Sequence, residues 1–153
     1  MYDCLMRLKI LVIDDDSFQI EILAEFIKEC GHNVFTATNP GQSINLLRTH
    51  YNSLNPFDVV FVDYMMPEMD GIELCRKLIA IDPLLTLIAI TSDNSLETRN
   101  NISRYGGFSG SINKAAGFDN IKHHLDIAMS NKKEKLSGKK SLFLERKKKI
   151  KKP

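Results

Sequence analysis

The chain has 153 residues, of which 43% are hydrophobic and 26% charged, values that fit one ordinary soluble domain and leave no room for two. A domain of this length buries roughly two-thirds of its unfolded surface, so neither a disulfide nor a metal is needed for folding. No apolar run approaches the ~20 residues of a membrane span, and Asp3 and Arg7 interrupt the stretch where a signal peptide would carry its apolar core, so a cytoplasmic location is expected.

The net charge of +2 conceals a split. Residues 131–153 carry eleven Lys/Arg against two Glu, a charge of +9, which leaves −7 on residues 1–130. The cysteines Cys4, Cys30 and Cys75 are widely spaced and form no CxxC pair, so idle or buried thiols are expected.

In chain order, Lys9–Ile13 is a short β-branched apolar run suited to a strand buried on both faces. Asp16 can cap the following helix, in which Ile20, Leu23, Ala24 and Ile27 repeat at helical spacing before Gly31 stops it. Asn33–Ala37 reads as a second strand, and Asn39-Pro40 as an N-cap with proline at the first helical position, followed by Ile44, Leu46 and Leu47. Phe57–Val62 is the strongest strand and ends on Asp63; a loop over Tyr64–Asp70 leads to a helix at Gly71–Ala80. Leu85–Thr91 is a fourth strand, Ser95–Tyr105 a weak helix, Ser111–Asn113 a thin fifth strand and Phe118–Met129 the last helix. Beyond Ser130 apolar periodicity fades, so the domain is expected over residues 8–130 and a disordered basic tail over 131–153. Alternating strands and helices imply βαβ units and a parallel sheet.

In an open parallel sheet the functional crevice lies outside the carboxyl ends of the strands. Asp14 and Asp15 follow the first strand, Asp63 ends the third, Thr91 ends the fourth and Lys114 follows the fifth. Three converging carboxylates repel one another unless a cation is present, and hard oxygen ligands suit Mg²⁺. A lysine and a threonine hydroxyl beside them suit phosphoryl oxygens, while the sequence has no P-loop and no GxGxxG to cradle a nucleotide. The histidines His32, His50, His123 and His124 share no ligand spacing with this cluster and are expected to be exposed.

The runs Ile10–Asp16 (ILVIDDD), Asp58–Gly71 (DVVFVDYMMPEMDG) and Ile90-Thr91-Ser92 resemble the receiver domains of bacterial response regulators. The resemblance covers about residues 8–130, and its third-strand motif, with Pro67 and Gly71 in register, is the most specific part. It implies an α/β flavodoxin-like (βα)5 three-layer sandwich whose five-stranded parallel sheet has the order 2-1-3-4-5. It further implies that Asp63 is the phosphoacceptor. Asp14 and Asp15 would hold Mg²⁺ with Asp63 and the backbone carbonyl of Met65, and Thr91 and Lys114 would contact the phosphoryl group. The implied partners are a histidine kinase or histidine phosphotransfer protein, with a downstream effector that the sequence does not name. Contact of the tail with nucleic acid or an anionic membrane is a lesser expectation.

The departures from the family pattern follow Thr91. Ala115 stands where a proline usually follows the lysine, so the loop either carries a non-proline cis bond or runs trans. Ser111 replaces an aromatic that turns inward on activation, and Phe108 replaces a small residue after Gly107. The phosphorylation chemistry is expected to survive these changes, whereas the relay to the output face is expected to differ. Two rival readings are a degenerate receiver that serves only as an interaction module, and a haloacid-dehalogenase-type phosphatase with Asp14 as nucleophile and Asp16 as acid/base.

Overall fold

The computed structural model describes residues 6–105 and 107–150; Cys4 and the last three residues of the basic tail lie outside this range. Five strands form one parallel sheet: β1 (Lys9–Ile13), β2 (Asn33–Ala37), β3 (Val59–Asp63), β4 (Thr86–Thr91) and β5 (Gly110–Asn113). Their spatial order is β2-β1-β3-β4-β5, as the resemblance implies. Five helices connect or follow them: α1 (Ser17–Glu29), α2 (Pro40–Asn52), α3 (Gly71–Ile81), α4 (Leu96–Tyr105) and α5 (Asp119–Ile150).

The period-two alternation of the central strands divides the core into two layers. Ile10 and Val12 of β1, Val59 and Phe61 of β3, and Ile88 and Ile90 of β4 pack with α1 and with Ile121 and Leu125 of α5. Their neighbours Leu11, Ile13, Val60, Val62 and Leu87 face the other way, against Leu47 of α2 and Leu74, Cys75 and Leu78 of α3. Because both faces are covered, β1 and β3 are buried along their whole length, which is why they read as apolar runs broken only by Lys9 at the start of β1 and Asp63 at the end of β3.

The helix starts are fixed by side-chain caps. Asp16 accepts from the amides of Phe18 and Gln19, Asn39 from that of Gln42, and Asp70 from that of Ile72. Gly31 leaves α1 at φ +92°, a left-handed conformation that glycine adopts without strain.

The structure corrects three expectations. Residues 65–70, expected as a plain loop, contain a two-residue antiparallel hairpin that pairs Met65 with Asp70 and Met66 with Met69. The last helix does not stop at Met129. It continues to Ile150, so residues 131–150 are helical where disorder was expected. Lysine, glutamate and leucine are good helix formers, and no proline interrupts the run before Pro153.

The third correction concerns the histidines, of which only His123 is exposed. His32 Nδ1 accepts from the Leu8 amide at 3.2 Å, and the His50 ring packs between those of Phe35 and Phe57. No described helix is long and apolar enough to cross a membrane.

Candidate functional site

The carboxyl ends of β1 and β3 lie side by side because Ile13 pairs with Val62, and this register places Asp14 next to Asp63. One carboxylate oxygen from each of Asp14, Asp15 and Asp63 lies within 4.8 Å of the others. Asp63 is 5% exposed and Asp14 6%, whereas Asp15 is exposed and opens the cluster to solvent. Asp14 Oδ1 accepts from the Asp16 amide at 2.9 Å, and Asp63 Oδ1 from the Met65 amide at 3.2 Å. Each of the two buried acids is thereby held by the backbone of the loop it begins.

Lys114 closes the site from the end of β5. Its Nζ lies 3.2 Å from Asp14 Oδ2 and 3.4 Å from Asp63 Oδ2. Among the described residues, Asp14, Asp15 and Asp63 are the acidic group whose geometry could hold a metal ion. Burial and the neighbouring Asp14 charge push the Asp63 carboxyl up to about 6, even though the Met65 amide and Lys114 act the other way. Burial alone would lower the Lys114 ammonium, but Asp63 and Asp14 more than reverse this and the net shift is upward. One lysine thus faces two buried carboxylates, and the cluster remains short of positive charge. Its oxygen-only donor set fits a hard divalent cation such as Mg²⁺.

Thr91 sits at the end of β4, buried and paired with Asn113. Its hydroxyl is engaged within its own loop: Oγ1 accepts from the Asp93 amide at 3.0 Å and donates to the Asp93 carbonyl at 3.4 Å. Asp93 in turn accepts from the Ser95 amide at 2.8 Å and the Thr98 hydroxyl at 2.7 Å, which fastens this loop to the start of α4. The sequence reading missed this Asp93–Thr98 link. Its only trace there is an acidic residue two positions before a serine at a helix start, the pattern of an Asx-turn.

Around Lys114 the departures resolve simply. The backbone contains no cis peptide bond among the described residues, so the Lys114–Ala115 bond is trans. Residues Lys114–Ala116 form one short 3-10 turn, capped by Asn113 Oδ1, which accepts from the Ala115 amide at 2.9 Å. Ser111 is exposed, while Phe108 packs beside Tyr64, Ala89 and Ile102. The glycine of the third-strand motif also has a steric basis here. A Cβ on Gly71 would lie 2.8 Å from the Tyr64 carbonyl oxygen and 2.9 Å from its ring.

A doubly covered parallel sheet with an acidic cluster at its carboxyl edge defines an α/β domain of the flavodoxin-like class. The family model described as response regulator receiver domain matches residues 10–126, and the chain belongs to that family. It is 31% identical over 125 residues to the transcriptional regulatory protein ZraR of Escherichia coli K12, an alignment covering 82% of this chain and 27% of that protein. The chain thus spans about a quarter of that relative's length. A receiver domain from Clostridium thermocellum superposes with a TM-score of 0.71 at 26% identity, covering 82% of this chain and 97% of that one. The response regulator TrrA of Thermotoga maritima, solved in complex with Mg²⁺-BeF, superposes with a TM-score of 0.66 at 23% identity, covering 79% and 98%.

Asp16 does not take the acid/base role of the phosphatase reading, because its side chain caps α1.

Proposed function

We propose that Asp63 accepts a phosphoryl group from the phosphohistidine of a histidine kinase or phosphotransfer protein, with Mg²⁺ held by Asp14, Asp15, Asp63 and the Met65 carbonyl. The observation that carries this reading is the convergence of Asp63 with Asp14, Asp15 and Lys114 at the carboxyl edge of the sheet. The Mg²⁺-BeF complex of the T. maritima neighbour supports the choice of metal.

A carboxylate oxygen of Asp63 attacks phosphorus while the phosphorus–nitrogen bond of the donor breaks and its electron pair stays on the imidazole nitrogen. The product is an acyl phosphate on Asp63. Bound Mg²⁺ would supply positive charge to offset the negative charge on the transferring phosphoryl oxygens. Lys114, already shared between Asp14 and Asp63, pairs with the new phosphoryl oxygens. The Thr91 hydroxyl donates to the same group after leaving the Asp93 carbonyl, which loosens the loop that Asp93 and Thr98 tie to α4. Charge at Asp63 is thereby converted into a change of surface near α4, read by a separate effector. The domain is a signalling acceptor that takes phosphate from small donors and loses it slowly, not a turnover enzyme.

Incubation with a small acyl phosphate and Mg²⁺, followed by intact-mass measurement, tests the assignment. One phosphoryl adduct is expected, and it disappears with EDTA or in Asp63→Asn. An adduct that persists in Asp63→Asn places the acceptor elsewhere.

A further inference from the structure

At the opposite edge of the sheet, where β1 and β2 begin, lies a second charged site that the phosphoacceptor chemistry does not use. Lys9 opens β1 and is only 9% exposed. Its ammonium contacts His50 Nδ1 and donates to the Asn55 carbonyl at 2.5 Å. It lies 5.4 Å from the centre of the Phe35 ring and 5.0 Å from that of Phe57. The nearest acid, Asp58, is already engaged: its Oδ2 accepts from the Lys9 backbone amide at 2.7 Å and from Lys132 Nζ at 2.9 Å. Among the described ion pairs, none includes the Lys9 ammonium.

Burial therefore lowers the Lys9 ammonium, and the attraction of Asp58, shared with Lys132, together with the ring faces offsets only part of that cost. The surroundings add to the imbalance. A cavity of about 600 Å³ opens over Lys9, and Arg7, Lys28, His32, His50 and Lys132 also line it. Because His32 Nδ1 accepts from the Leu8 amide, its neutral ring carries the hydrogen on Nε2 and keeps that donor for a ligand. Burial, with Lys9 second, holds the His50 ring below its usual range, so it accepts from Lys9 instead of adding a charge.

We propose that this cavity binds the phosphate group of a small phosphorylated molecule. With Lys132 already paired to Asp58 and both histidines neutral, Arg7, Lys9 and Lys28 remain, and three converging cations favour a group carrying more than one negative charge over a simple carboxylate. Arginine adds the planar fork that matches phosphate oxygens, and Lys9 adds a point charge at the base. The volume exceeds what one phosphate fills, and the Phe35 ring in the lining offers an apolar wall to the organic remainder of the ligand.

Pyrophosphate titrated into the full chain with EDTA present, followed by NMR at the His32 and His50 rings, tests the assignment. Saturating shifts at both rings are expected, competed by inorganic phosphate and not produced by acetate at equal ionic strength. Arg7→Gln with Lys28→Gln changes two exposed residues and is expected to weaken binding about tenfold or more, the loss of charge-assisted hydrogen bonds. Lys9→Met, which keeps an apolar stem between the rings, is expected to remove it. Asp63→Asn is expected to bind as the parent does. Shifts that stay linear with concentration, an undiminished affinity in the Arg7/Lys28 variant, or loss of binding in Asp63→Asn would each overturn the proposal.

Discussion

Lys114 and Asp14 are 100 residues apart in the chain and 3.2 Å apart at their charged ends. The same ammonium reaches Asp63 at 3.4 Å, so the loop after β5 is held to the ends of β1 and β3 by one lysine. Lys114→Met removes the cation and leaves two buried carboxylates facing each other. In EDTA near neutral pH the variant is expected to be less stable by about 1–3 kcal/mol, the cost of an unsatisfied buried acceptor. Saturating Mg²⁺ should narrow that gap, and Mg²⁺ affinity should rise because the competing cation is gone. Chemical denaturation with and without Mg²⁺ measures both, and a variant as stable as the parent in EDTA would count against the arrangement.

Asp63 sets a pH dependence of definite sign. Its carboxyl is raised from the ordinary 3.8 to about 6 in the fold, first by burial and then by Asp14. Between these values the folded chain holds a proton that the unfolded chain releases, so stability falls as pH rises. The contribution is complete below 3.8 and lost as pH passes about 6. In EDTA, Asp63→Asn is therefore expected to be more stable than the parent at neutral pH, with the difference shrinking as pH falls toward 4. A difference that grows on acidification would reverse the sign and refute the account. Mg²⁺ affinity of the parent should drop below about pH 6 for the same reason, since proton and metal compete for one carboxylate.

Gly71 tests whether the hairpin before α3 is a rigid part of the site. A methyl group there meets the Tyr64 backbone, which cannot move without disturbing the adjacent Asp63. Gly71→Ala is expected to cost about 1–3 kcal/mol, as overpacking does. Gly41→Ala is the control, because a Cβ at that position finds only an ordinary 3.5 Å contact with Asn39. Equal midpoints for the two variants in denaturant would show that the loop yields.

Much of this was legible from residue order alone. The β-branched run Lys9–Ile13 became a strand with those same bounds, and the Asp16 and Asn39 caps fell where short polar side chains precede apolar periodicity. The convergence of Asp14, Asp63 and Lys114 followed from parallel strands ending at one edge. Features that depend on spatial neighbours were not legible. The Asp93–Thr98 link requires a particular loop path, and the Met65–Asp70 hairpin is too short to show a period. His50 and His32 are half-buried because Phe35, Phe57 and Leu8 come to them from other strands and loops. The continuation of α5 was obscured for a different reason. Dense like charge is a signature of disorder, although the same lysines and glutamates favour helix.

Lys132 marks where that continuation is still fastened to the domain. Its Nζ donates to the Arg7 carbonyl at 2.7 Å and to Asp58 Oδ2 at 2.9 Å, which ties α5 to the segments leading into β1 and β3. The pair is about a quarter exposed on each side, so its electrostatic worth is small and the hydrogen bonds supply most of the effect. Lys132→Gln is expected to cost about 1 kcal/mol, a shift of a few degrees in Tm for a chain of this size. A chain ending at Ser130 should show the same loss, while one ending at Gly138 keeps Lys132 and should match the full chain. Thermal unfolding of the four proteins separates the contributions. If the chain ending at Gly138 is as destabilised as the one ending at Ser130, the anchor lies further along α5 than Lys132.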